Sequence, residues 1–235
     1  MNNPNNRRFF LKTTALVAGT AALACAEVLG QEKRMGGSKE NEEEVTPVED
    51  LAREHGLLNR VLLIYDELNN RLATGSNFDP ALLIGSAEII QRFIEGYHEK
   101  LEEEYLFPRF MKAGRLTDLI GVLRQQHNAG RALTSRILQF AKNGPARNST
   151  ESKNLGQAVS AFVRMYRPHE AREDTVLFPA LRSIVSENEY NSLGEEFEKK
   201  EHQLFGKEGF EGVLDQVSAI EKKLGIYDLS QFTLR

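Results

Sequence analysis

The sequence predicts an all-α protein, an up-down-up-down four-helix bundle with an additional C-terminal helix. Three observations predict it. Four long segments carry apolar residues at helical spacing along one stripe, breaks containing Gly, Pro or Asn separate them, and no stretch alternates apolar and polar residues as a half-buried strand does. The chain has 235 residues, 40% hydrophobic with thirteen Phe, enough to fill one sizeable core.

The amino terminus reads as an address rather than as part of that core. Arg7-Arg8-Phe9-Phe10-Leu11-Lys12 precedes twelve uncharged residues, Thr13 to Ala24, too few to span a bilayer as a mature helix. Residues 1–30 resemble a twin-arginine signal peptide, which implies the twin-arginine export machinery as a partner and a periplasmic or extracytoplasmic destination. Ala24-Cys25-Ala26 fits ordinary cleavage, whereas Ala22-Leu23-Ala24-Cys25 resembles a lipobox that would attach lipid to Cys25 and anchor the protein to a membrane. Both processing routes stay open. Residues 31–45, rich in Gly and charge, read as a disordered linker.

A bundle at 46–207 follows. Thr46-Pro47-Val48-Glu49 combines an N-cap, a first-turn proline and a capping-box glutamate. The first helix then runs to about Ala73, with Leu51, His55, Leu58, Leu62 and Tyr65 on one stripe. Asp79-Pro80 opens the second, whose inward row is Ile90, Ile94, His98, Glu102 and Leu106, and Ala113-Gly114 closes it. The third covers roughly Thr117 to Lys142, with Ile120, Leu123, His127, Thr134 and Ile137 or Leu138 inward. The fourth spans about Ser149 to Ile184, with Phe162, Tyr166, His169, Glu173 and Leu177 on its stripe and Pro168 expected to kink it. Ser186 caps a fifth helix to about Phe205, and the tail, 208–235, carries mixed signals.

The chemistry lies in an internal repeat. H-E-K-L-E-E-E-Y-L-F-P at His98 recurs 71 residues later as H-E-A-R-E-D-T-V-L-F-P at His169. A single histidine precedes each copy: His55 by 43 residues, His127 by 42. A His and a Glu four apart share one helical face. His55, His98, Glu102, His127, His169 and Glu173 all fall on the apolar stripes, where two carboxylates would repel each other unless cations compensated them. The six are enough to ligate two transition-metal ions, and imidazole with carboxylate suits iron, manganese or zinc. Glu102 and Glu173 stand where a zinc protease motif needs its second histidine, which rejects that reading.

Other chemistries are excluded. Net charge is −4 and the chain holds no Lys/Arg cluster beyond the amino terminus, so nucleic acid is not a partner. Cys25 is the single cysteine, so there is no internal disulfide and no Cys-based metal site. Glu99 and Glu170 point off the stripes and read as surface charges; Glu103 and Asp174 read as groups around the ligands or in solvent. His202 lies off the Phe197/Leu204 stripe and reads as packing or capping, with a fifth histidine ligand as the alternative.

On those six residues together the chain resembles the hemerythrin-like, or HHE cation-binding, family over about residues 46–207. The resemblance implies a hemerythrin-like bundle holding two iron ions in a non-haem di-iron centre, with Glu102 and Glu173 bridging and two histidines on each iron. Oxygen-carrying members have a second histidine four residues after the third-helix one; here that position is Arg131. They also have a bridging aspartate five residues after the last histidine, and Asp174 stands there, although Glu173 matches the internal repeat better. The expected function is an exported di-iron protein that binds or senses a small diatomic ligand, oxygen or nitric oxide, or buffers iron. A di-iron oxidoreductase acting on nitric oxide, peroxide or oxygen is the alternative, and a structural zinc bundle a weaker one.

Overall fold

The computed structural model describes residues 45–142 and 149–233. The segment expected to be a signal peptide, with Arg7, Arg8 and Cys25, and almost all of the expected linker lie outside them. Among the described residues there are six helices and no strand. They are α1 (Pro47–Thr74), α2 (80–113), α3 (Thr117–Lys142), α4 (149–181), α5 (Glu187–Phe205) and α6 (Gly209–Leu224), with a 3₁₀ turn at Leu229–Phe232.

Local chemistry sets the helix ends. Thr46 accepts from the Glu49 amide while the Glu49 carboxylate accepts from the Thr46 amide at 2.9 Å, the reciprocal capping box that the sequence predicts. Asp79 caps α2 ahead of Pro80, and Ser186 caps α5. Helices α1 to α4 form the bundle, and the predicted stripes face inward: Leu51, Leu58, Leu62, Tyr65, Ile90, Ile94, Ile120, Leu123, Phe162 and Leu177 are all buried.

The Leu-Phe-Pro of each repeat has a structural consequence. A proline has no N–H, and its ring collides with the carbonyl four residues back. Ahead of Pro108 and Pro179 the helix widens into a π turn, Glu102–Leu106 in α2 and Glu173–Leu177 in α4, with the Phe107 and Phe178 amides donating to the Glu102 and Glu173 carbonyls. Both π turns begin on a glutamate of the six. A further π segment, Ile90–His98, leads into His98 without a counterpart in α4. The α-helix of α4 continues through Pro168, which cannot donate to the Arg164 carbonyl, and passes into the π turn at Glu173.

The C-terminal region is larger than the predicted single extra helix. The tail at 208–235 holds α6, whose Phe210, Val213, Val217 and Leu224 are buried. Arg60 of α1 binds Glu221 and Ser218, and Arg71 donates to the Leu224 carbonyl at 2.7 Å, fixing α6 on α1. On α5, Phe197 is buried edge-on against Tyr105, whereas Leu204 points outward at 56% exposure and leaves the predicted stripe.

Candidate metal centre

All six residues meet in the bundle core. His55 comes from α1, His98 and Glu102 from α2, His127 from α3, and His169 and Glu173 from α4; none is more than 4% exposed. They form two tetrads, His55/His98/Glu102/Glu173 and Glu102/His127/His169/Glu173, within each of which the ligand atoms lie within 4.8 Å of one another. Both tetrads contain Glu102 and Glu173, so the two carboxylates sit between the two pairs of imidazoles.

The residues fit a pair of cations. Both oxygens of Glu102 and both of Glu173 are buried without an aligned hydrogen bond, as are Nε2 of His98 and of His127. Leaving such groups unsatisfied costs several kcal/mol in all (on the order of 1–3 each). Their nearest neighbours are one another: Nε2 of His169 lies 3.1 Å from Glu173, Nε2 of His55 3.4 Å from Glu173, and Nε2 of His127 3.4 Å from Glu102. Two donors each about 2.1 Å from one ion at a right angle are about 3 Å apart. The acids also repel each other. Burial, and then Glu173, push the Glu102 carboxyl above its usual range, while His169 and His55 outweigh burial and hold Glu173 below it.

Every imidazole is oriented through its other nitrogen. Nδ1 of His55 meets Asp174 at 2.8 Å, that of His98 meets Glu54 at 2.7 Å, that of His127 meets Glu103 at 3.1 Å, and that of His169 meets the Gln126 amide oxygen at 2.9 Å. These contacts place the proton on Nδ1 and direct the Nε2 lone pair into the cluster. Phenylalanines of the repeat brace two of the rings: Phe178 stacks on His55 at 5.4 Å and Phe107 on His127 at 5.6 Å.

The arrangement obeys the repeat. The residue after each shared glutamate, Glu103 or Asp174, holds the single histidine of the neighbouring helix. The residue before each single histidine, Glu54 or Gln126, holds the histidine of the His-x-x-x-Glu pair. Sequence reading placed Glu103 and Asp174 near the ligands but missed Glu54 and Gln126, although aligning the two single histidines puts these neighbours in register.

Glu99 and Glu170 are corrections. Read as surface charges, they are 1% and 4% exposed. Arg131 contacts Glu99 at 2.6 Å and Glu103 at 2.7 Å, and the Tyr166 hydroxyl donates to Glu99 at 2.6 Å. Buried Glu99 needs such partners, which come from α3 and α4 and are invisible to the periodicity of α2. Glu170 lies on α4 itself and faces His55 and Asn59 of α1. The side chain standing at the carriers' extra histidine position therefore reaches two acids outside the six. His202 lies apart, half-buried on α5 beside Glu195, Glu198, Lys199 and Gln203.

The fold and this constellation define a helical, carboxylate- and histidine-based cation-binding domain, and the comparisons agree. Residues 46–181 match the hemerythrin HHE cation-binding domain, and the chain belongs to that family. Uncharacterised proteins of Mycobacterium tuberculosis and Mycobacterium bovis are 48% identical over 230 residues, covering 97% of this chain and 90% of theirs. No solved structure matches.

Proposed function

We propose that this domain holds two iron ions between Glu102 and Glu173 and binds a small diatomic ligand, oxygen or nitric oxide, at that centre, as an exported protein of the periplasm or its equivalent. One observation carries the reading: two buried tetrads share two carboxylates whose four oxygens have no hydrogen-bonding partner in the protein. His55 and His98 would hold one ion, His127 and His169 the other, with Glu102 and Glu173 common to both. When bound, such a pair of ions supplies redox-active positions that a small ligand can occupy, since each tetrad offers four protein donors. The chain's own part is to orient the imidazoles through Glu54, Asp174, Glu103 and Gln126, and to exclude bulk water from residues at most 4% exposed. Burial of that order favours small ligands. A surface groove of about 970 Å³, lined by Asn69, Ala73, Gly156 and Arg164 among others, touches none of the six residues.

The oxidoreductase reading, acting on nitric oxide, peroxide or oxygen, is favoured by one feature. Tyr166 packs edge-on to His169 with ring centroids 5.4 Å apart and donates its hydroxyl to buried Glu99, so a proton-carrying pair adjoins a ligand ring.

Elemental analysis of protein purified without oxygen, with optical spectra before and after nitric oxide, azide or air, tests both readings. About two irons per chain and a spectral change with nitric oxide support the proposal. About one zinc and negligible iron after iron-replete growth would overturn it in favour of a structural zinc bundle. Catalytic turnover of peroxide or nitric oxide would select the second reading.

A further inference from the structure

The ring of groups behind the histidines is nearly twofold, and its best-buried departure from symmetry weakens one half. Glu103 and Asp174 are equivalent and both acidic. Glu54 and Gln126 are equivalent but differ: the Glu54 carboxylate, 0% exposed, accepts from His98, whereas a neutral amide accepts from His169. The flanking charges differ in the same direction. Glu103 also contacts Lys100 at 2.5 Å and Arg131 at 2.7 Å, so two cations draw on the carboxylate behind His127. The position equivalent to Arg131, four residues after His55, is Asn59, which donates to the His55 carbonyl and brings no charge. Asp174 is 36% exposed, so solvent partly screens it, and the contrast that counts most is the better-buried one between Glu54 and Gln126.

A carboxylate accepting from Nδ1 raises the basicity of Nε2 and strengthens its bond to a cation; losing such a partner typically costs about 10–100-fold in affinity. An amide supplies the orientation without the charge. We propose that the two halves bind their ions unequally: the His55/His98 half is filled first and more tightly, and Gln126 makes the His127/His169 half the labile one. Glu54 and Gln126 are positioning residues that set this order. The inference rests on the dinuclear reading above and assigns a rank to its two halves.

Anaerobic titration of the full-length protein with ferrous ion against a competing chelator tests it. Two uptake steps are expected, separated by about tenfold or more. Gln126→Glu restores the twofold ring and should tighten the weaker step by about tenfold while leaving the tighter one in place. Glu54→Gln should weaken the tighter step by a similar factor, with circular dichroism reporting whether the helices are retained; Gln126→Glu decides the matter if they are not. His169→Ala should abolish the weaker step and spare the tighter one. Two ions bound with equal affinity, or a weaker step unmoved by Gln126→Glu, overturns the ranking alone. Uptake of one ion or none overturns the dinuclear reading itself.

Discussion

The α-carbon of Gly130 lies so close to the Tyr166 hydroxyl that a Cβ built on it would come within 2.1 Å of the oxygen and 2.8 Å of the ring carbon bearing it. A glycine inside α3 costs about 1 kcal/mol of helix propensity relative to alanine. Here it makes room for the tyrosine that donates to buried Glu99. Gly130→Ala should therefore destabilise the protein by about 1–3 kcal/mol despite the better helix former. Urea melts check the sign. Tyr166→Phe should recover part of that loss in the double variant, because the hydroxyl oxygen makes the closest of the contacts.

Replacing either shared carboxylate should empty at least one position. Glu102→Ala or Glu173→Ala is expected to release one or both ions, whereas His202→Ala, on α5 and away from the cluster, should leave metal content and azide binding intact. Elemental analysis and azide difference spectra provide the check. Loss of an ion from His202→Ala would mean that α5 contributes a ligand.

Glu95 gives the folded state a pH dependence. Burial raises its carboxyl to about 7, against the opposing influence of nearby Thr134 and Arg131. Because the folded-state value lies above the unfolded one, the folded protein binds the extra proton between about 4.5 and 7. The associated stability is fully present below that window and is lost as pH rises through 7. Glu95→Gln should consequently stabilise the protein by about 1–3 kcal/mol at pH 8 and change little at pH 4. Denaturant titrations at the two pH values measure the difference, and an equal effect at both would contradict the assignment.

Export is expected to require Arg7 and Arg8 together. Changing both to Lys should leave the precursor in the cytoplasm, since an ammonium does not reproduce the planar guanidinium fork. Fractionation decides the route, and mass spectrometry of the mature terminus distinguishes a lipid on Cys25 from cleavage near Glu27.

The helices and the six clustered residues were legible in the sequence because both follow from local periodicity. Leu51, His55, Leu58 and Leu62 lie on one face whatever they pack against, and a His four residues before a Glu shares its direction. The Leu-Phe-Pro repeat was equally visible, but its effect, a π turn starting on each glutamate with a phenylalanine stacked on an imidazole from another helix, was not. Periodicity states which face a residue occupies, not what stands opposite it. For that reason Glu99 reads as a surface charge until α3 and α4 supply Arg131 and Tyr166, and Glu170 until α1 packs over it with His55 and Asn59. The tail at 208–235 stayed unread for a related reason, since α6 is held by arginines 150 or more residues earlier in the chain. By itself the sequence determined the all-α class, the four stripes and the six candidate ligands. Tertiary structure alone decided the pairing of Glu54 with His98 and of Gln126 with His169, because those contacts join residues more than forty positions apart whose meeting depends on how the helices pack.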